Sequence, residues 1–309
     1  MNGARALAIA VAGTLPLLLG YPSLHASALP LVVESRARVA RPFGLVSSVL
    51  TLREKGALMV RIPGSSAWLG STASEALNAA AQCAQEPLAQ RCNEQTFANE
   101  LERRRVDVPA FFIDRNEVSV GEYARCVAAG YCQPPAFAAG AQRFNRRELP
   151  VSFVSYEDAV AYCRFRGARL PREAEFERAA RGSEGRAYPW GELYNAHVLN
   201  HGRLGVLEND ASDGYAELAP VGSFPDGKSP EGVLDLSGNV AEWQAEPYRE
   251  SSNDPVPDDT ESAPRVVRGG SYLRGAAFVR GAARERADTK SRRPDIGLRC
   301  ARSAQHSAP

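Results

Sequence analysis

Apolar residues in this chain fall in short groups separated by turn formers, not in long helical periods. Met59-Val60-Arg61-Ile62 reads as a strand closed by Pro63-Gly64, and strand character resumes at Trp68-Leu69 before Gly70. Val106, Val108, Ala110 and Phe112 alternate with other residues, which predicts one half-buried strand. Between these segments, residues 72–104 are rich in Ala, Gln and Glu and predict a helical or irregular insertion. Three short helices follow. Ser119 and Glu122 form a capping-box pattern ahead of Val120, Tyr123, Cys126 and Val127 on one helical face, with a stop near Gly130. Ser155 with Asp158 caps a second helix that buries Ala159, Tyr162 and Cys163 and ends at Gly167. The third starts at Pro171, carries Glu173, Glu175 and Glu177 early and Arg178 and Arg181 late, and ends before Gly182. From Tyr188 onward no helix is evident. Residues 195–232 are dense in Asn, Asp, Gly and Pro, and strands are expected at 265–267 and 296–300. The pattern predicts a loop-rich α+β protein without internal repeats.

Composition narrows this picture. A chain of 309 residues, 44% apolar, can bury a sizeable core, and a formal charge of +1 gives no reason to expect a nucleic-acid partner. At the N-terminus, Arg5, an apolar run from Ala6 to Leu19 and the small residues Ala26-Ser27-Ala28 read as an export signal. The run is short and broken by Pro16, which disfavours a membrane span. The expected organisation is a signal peptide over 1–28, an arm or linker over 29–56, a folded domain over 57–303 and a tail over 304–309. No membrane insertion is expected after signal removal, and the expected location is periplasmic or secreted. Six cysteines suit that compartment, and their spacing suggests Cys83 with Cys92, Cys126 with Cys132, and Cys163 with Cys300. Six cysteines allow fifteen pairings, so spacing alone does not choose among them. Metal ligation is the rival reading, but no CxxC pair occurs.

The stretch GVLDLSGNVAEW, residues 232–243, carries the densest chemistry. Asp235 and Glu242 flank a Ser-Gly-Asn turn, an arrangement able to aim carboxylates and backbone carbonyls at one hard cation. Read by composition alone, the same residues suit an ordinary hairpin with a core tryptophan, Trp243.

MVRIPGSSAWLGS (59–71), FFIDRNEVSVGEY (111–123), LPVSFVSYEDAVAYCRFRGARLPREAEFERAARG (149–182), YPWG (188–191), LDLSGNVAEW (234–243), VVRGGSY (266–272) and IGLRC (296–300) together resemble the formylglycine-generating enzyme family, also called sulfatase-modifying factor. The resemblance runs from about residue 57 to 303 and implies one C-type-lectin-like α+β domain with bound calcium. It implies one calcium site at Asp235, Gly238, Val240 and Glu242, the glycine and valine acting through their carbonyls. A second would fall at Asn200, His201, Asp213 and Tyr215. Both sets offer the oxygen ligands calcium prefers. The family's long-range disulfide matches Cys163 and Cys300, whereas its second bridge falls on Ala180 and Gly281.

The family enzyme converts a client cysteine to formylglycine with oxygen and a copper ion held by two cysteines after the RGGSY block. Cu(I) prefers soft thiolates. Here Arg274 and Val279 stand at those positions in ungapped register, and no cysteine lies between Cys163 and Cys300. Copper is therefore not expected, and calcium is. Ser271 and Arg274 line the position of the family active site, but a serine without a metal or base is no nucleophile. Ala241 replaces a tryptophan found in many family members. His197 and His201 have i,i+4 spacing, but in a Gly/Asn-rich loop that spacing loses its meaning. Arg268, Arg274, Arg280, Arg284 and Arg286 suggest either a pocket for an anion or a solvated basic face. Two functions follow: an exported, calcium-stabilised, non-catalytic module binding a protein, peptide or glycan, or a metal-dependent oxidase acting on a different substrate.

Overall fold

Pro63-Gly64 and Pro109 divide the N-terminal apolar segments between two sheets. A computed structural model of the chain describes residues 51–304 apart from 55–56, 88–91, 101, 138–139, 204–209, 252–253 and 256–261. The signal segment and nearly all of the C-terminal tail lie outside the described residues. Strands β1 (Thr51–Glu54), β2 (Ala57–Ile62), β5 (Phe111–Asp114) and β10 (Ala301–Ser303) form an antiparallel sheet in the order β1-β2-β5-β10. The ladder begins at Thr51, opposite Val60, inside the segment expected to be an arm. Strands β3 (Ser65–Leu69) and β4 (Arg104–Val108) make a separate antiparallel pair. The expected single strand over 106–112 is thus two strands, because Pro109 has no N–H for a ladder.

Strands β6 (Ala241–Pro247), β7 (Arg265–Arg268), β8 (Arg284–Ala287) and β9 (Ile296–Gly297) form the third sheet, in the order β8-β7-β6-β9 with β6 and β9 parallel. Of the expected strand over 296–300 only Ile296–Gly297 forms, as β9 in the third sheet; β10 follows it at Ala301 in the first. Four α-helices complete the described fold: α1 (Ala73–Cys83), α2 (Val120–Ala128), α3 (Tyr156–Phe165) and α4 (Glu173–Arg181). The capping boxes expected at Ser119 and Ser155 are present. A third, Thr72 with Glu75, opens α1.

The core has two main parts. Tyr123, Tyr162, Leu170, Trp243, Ile296 and Leu298 pack α2 and α3 against the third sheet. Val60, Phe111 and Ile113 of the first sheet meet Phe176, Ala179 and Ala180 of α4. Disulfides join Cys83 to Cys92, Cys126 to Cys132 and Cys163 to Cys300, the partition that spacing suggested. They fit an oxidising, extracytoplasmic compartment. Among the described residues no helix is long and apolar enough to cross a membrane.

Helix α4 buries its charged side as well. Glu177 accepts from the Gly70 N–H, from Arg181 and from Arg268, each at 2.6 Å. Burial alone would raise its pKa, but Arg268, Arg181 and the backbone donor outweigh burial and hold it below the usual glutamate range. The bridge positions of the family remain neighbours: a Cβ on Gly281 would sit 3.5 Å from Ala180 Cβ, within disulfide range. The Arg181 stem occupies that space, its Cγ 2.4 Å from the same point.

Gly281→Ala should therefore destabilise the protein by about 1–3 kcal/mol, because Arg181 cannot yield without losing its bonds; calorimetric melting checks this. A native pKa below the unfolded value means that the contribution of Glu177 is complete above about pH 4.3 and is lost as pH falls through the native value. Melts from pH 7 to 3 should show that loss only below about pH 4.3, and a Glu177→Gln chain should lack this component.

Candidate functional site

The loop that precedes β6 is held in left-handed backbone at Asp235 (φ 56°), Gly238 (φ 81°) and Asn239 (φ 57°). At Gly238 a side chain is excluded outright, since a Cβ would lie 2.0 Å from the Asn200 carbonyl oxygen. Asn239 organises what surrounds it. Its Nδ2 donates to Glu117 Oε2 at 2.6 Å and to the Ala219 carbonyl at 3.2 Å, and its Oδ1 accepts from Asn200 Nδ2 and the Ala219 N–H. Glu117 Oε1 accepts from the Val240 N–H at 3.0 Å. Sequence reasoning passed over Glu117; the only available signal was its place in the FFIDRNEV block.

The loop brings three buried carboxylates together. Burial, then Asp235 and Glu242 as neighbours, push the Glu117 carboxyl well above its ordinary range. Burial lifts Asp235 to about 6 against a hydrogen bond from the Gly222 N–H, and it raises Glu242 against the pull of Arg299. Glu242, expected as a calcium ligand, gives both oxygens to Arg299, at 2.6 and 2.7 Å, with both side chains 0% exposed. The other members of that set are Asp235 and the carbonyls of Gly238 and Val240.

The second expected set is drawn together more fully. Asp213 accepts from the His201 and Tyr215 N–H groups, both at 2.8 Å, and the Asn200 carbonyl accepts from the Asn239 N–H at 3.0 Å. Buried Asn200 Oδ1 has no hydrogen-bond partner among the described residues. An oxygen-only donor set with one buried oxygen unmet fits a hard cation. His197 and His201 share no helix, and among the described residues no three His, Cys, Asp or Glu side chains converge as a metal centre.

At the position of the family active site, Ser271 is 1% exposed, and its Oγ touches Asp295 Oδ2 and the Leu273 N–H, each at 3.3 Å. Arg274 pairs with both oxygens of Glu285, and Val279 is buried beside Tyr188 and Leu199. All six cysteines are in disulfides, so no thiol remains for a soft metal. Four of the five arginines fit neither expectation: Arg268, Arg280 and Arg284 are buried and, like Arg274, pair with glutamates, namely Glu177, Glu100 and Glu173, whereas Arg286 is exposed. Charge matched so closely is neither an anion pocket nor a solvated face.

The insertion between β3 and β4 covers this segment. Phe97 packs against Phe278 with the rings tilted and their centroids 5.3 Å apart, and Ala277 packs among Ala76, Ala79, Cys83 and Phe97. Glu100 holds Arg280, and Glu86 lies so close to Gly275 that any side chain there would collide with it. Beside this plug a cavity of about 390 Å³ opens between Asn78 and Gln82 of α1 and Tyr188, Leu193 and Ala282.

A lectin-like domain with this carboxylate-rich loop and this order of blocks defines a class. The sulfatase-modifying factor enzyme 1-like domain matches residues 50–304, and the chain belongs to that family. The chain is 39% identical over 167 residues to the mouse (Mus musculus) inactive C-alpha-formylglycine-generating enzyme 2, covering 52% of this chain and 51% of the relative. It is 40% identical over 179 residues to the formylglycine-generating enzyme of Streptomyces coelicolor, with 52% and 54% covered. It thus spans about half the length of these curated relatives. Among solved structures, PvdO from Pseudomonas aeruginosa superposes with a TM-score of 0.62 at 27% identity, over 81% of this chain and 95% of that one.

Replacing Cys83 and Cys92 together by serine should loosen the plug locally while the three sheets persist. Amide exchange over residues 275–283 should then rise at least about tenfold with melting still cooperative, as measured by hydrogen-exchange mass spectrometry.

Proposed function

We propose that this protein is an exported, calcium-stabilised, non-catalytic binding module for a protein, peptide or glycan. The observation that carries the reading is the state of the family's copper positions: Arg274 is ion-paired, Val279 is buried, and both lie in the segment under the disulfide-stapled insertion. A match to a relative whose name marks it as inactive supports the same conclusion. The cavity beside Tyr188 is the proposed ligand site, since its walls mix amide and carboxylate oxygens with an aromatic ring and exposed Leu193. Calcium is proposed at Asn200 and Asp213, with the carbonyls of His201 and Tyr215, and at Asp235 with the carbonyls of Gly238 and Val240. When bound it supplies a positive centre to a loop crowded with buried carboxylates, so its role is structural.

A relative named hercynine oxygenase, 33% identical over 221 residues in Mycobacterium tuberculosis, motivates the oxidase alternative, and one experiment separates the two. The exported protein, purified without chelator, is submitted to elemental analysis, melted with and without EDTA, and incubated with copper, oxygen and a sulfatase-derived cysteine peptide. The expected result is calcium alone, a melting point several degrees lower in EDTA, an EDTA effect reduced by Asn200→Ala, and no peptide oxidation. Iron or copper near one per chain, or turnover of the peptide, overturns the binding-module reading.

A further inference from the structure

The three disulfides differ in what surrounds their sulfurs. Cys83, Cys126, Cys132, Cys163 and Cys300 are at most 6% exposed, whereas Cys92 is only partly buried, alone among the six. A disulfide opens when a thiolate reaches one of its sulfurs, so exposed bridges are the labile ones. The Cys83–Cys92 bridge is therefore the one a reductant meets first.

What that bridge holds has few other ties. Helix α1 buries only Ala76, Ala79 and Cys83, and its one large apolar residue, Leu77, is 52% exposed. Burial of two methyl groups stabilises little, and a helix of 11 residues is marginal by itself in water. Its N-terminal turn is pinned by the Thr72 and Glu75 capping box, by Glu75 on Arg103 at 3.2 Å, and by Ser71 Oγ donating to Glu100 at 2.7 Å. Apart from a hydrogen bond between Gln82 and Tyr188, the C-terminal half depends on the bridge at Cys83. That half carries Asn78, Ala79 and Gln82, one wall of the cavity beside Tyr188, and it packs on Ala277. The other two bridges lie among Tyr123, Tyr162, Trp243 and Leu298, which hold α2 and α3 in place by their own burial.

We propose that Cys83–Cys92 is a redox switch on the ligand cavity: a dithiol reduces it selectively, and the C-terminal half of α1 then comes away from Tyr188 and from residues 275–283. A thiolate of the reductant attacks Cys92 Sγ, the Cys83–Cys92 bond breaks, and Cys83 leaves as a thiolate that takes up a proton. The second thiol of the reductant then displaces Cys92. The bridge gains two electrons and two protons, and the dithiol ends as a cyclic disulfide. As control of ligand capture the switch rests on that cavity being the ligand site, but the opening does not, and it can be read without a ligand. A negative result strikes the switch and leaves the binding-module reading to elemental analysis and the peptide assay.

The test incubates the folded chain, in calcium, with dithiothreitol, alkylates free thiols with iodoacetamide and maps them by mass spectrometry, with hydrogen exchange followed on the same samples. Cys83 and Cys92 should be alkylated at least about tenfold faster than the other four cysteines. Amide exchange over residues 78–83 and 275–283 should then rise about tenfold while β2, β5 and β7 keep their protection, and oxidised glutathione should restore the original rates. A Cys83→Ser, Cys92→Ser chain should exchange at the raised rate from the start and not respond to dithiothreitol; if it does not fold, the unsubstituted chain decides. The proposal is overturned if another bridge is reduced as fast, or if reduction leaves exchange over 78–83 unchanged. It is equally overturned if protection is lost in all three sheets at once, or if reoxidation does not restore it.

Discussion

Arg299 and Glu242 hold the centre of this protein with no contact to solvent. A guanidinium and a carboxylate so deeply buried each carry a desolvation cost of several kcal/mol, tolerable only when every remaining donor and lone pair is met. Arg299 meets that condition. Besides Glu242 it donates to the carbonyls of Asp114, Leu234 and Asp235, which ties the end of β5, the loop before β6 and β6 itself to one side chain. Its neighbour Cys300 carries the bond to Cys163 on α3. The left-handed turn at Asp235, the placement of Glu117 under Asn239, and the approach of Asn200 to Gly238 are arranged around that fixed point.

Much of the fold was legible in the sequence because local rules dictated it. Capping boxes, helix-ending glycines and proline breaks marked α2, α3 and α4 closely. What escaped was set by long-range partners. Strand β6 looked like half of a hairpin because its ladder neighbours, β7 and β9, come from 265–268 and 296–297. Strand β1 lacked a period because its length is only Thr51–Glu54. In the site, residue types were readable but their partners were not. Glu242 read as a cation ligand, and nothing local indicates that Arg299 pairs with both of its oxygens. The arginines after residue 265 read as one basic group because their glutamates come from positions 100, 173, 177 and 285.

The same ion pairs explain how the family's architecture persists without its thiolates. An enzyme of this family needs a reactive segment that is open to a peptide and electronically soft. Here that segment is packed and hard: Arg274 on Glu285, Arg280 on Glu100, and Phe278 under Phe97. The Arg181 stem fills the place of the missing second bridge, and its guanidinium donates to the carbonyls of Gly70, Gly185 and Arg186. Cross-linking by sulfur has given way to cross-linking by charge in α4. The region therefore responds to pH where the family's bridge would respond to reductant.

The spans of the disulfides add a sequence in time. Cys83 and Cys92 are 9 residues apart and Cys126 and Cys132 are 6, while Cys163 and Cys300 are 137 apart. Bringing the distant pair together in an unfolded chain costs about 2.5 kcal/mol more entropy than closing either local pair. An oxidant meeting the newly made chain thus seals the two small loops first. The long bridge waits for β10 to reach β5, and by then the insertion that will cover residues 275–284 is already stapled. The insertion is thus stapled first and comes to cover residues 275–284 only when the scaffold beneath it folds.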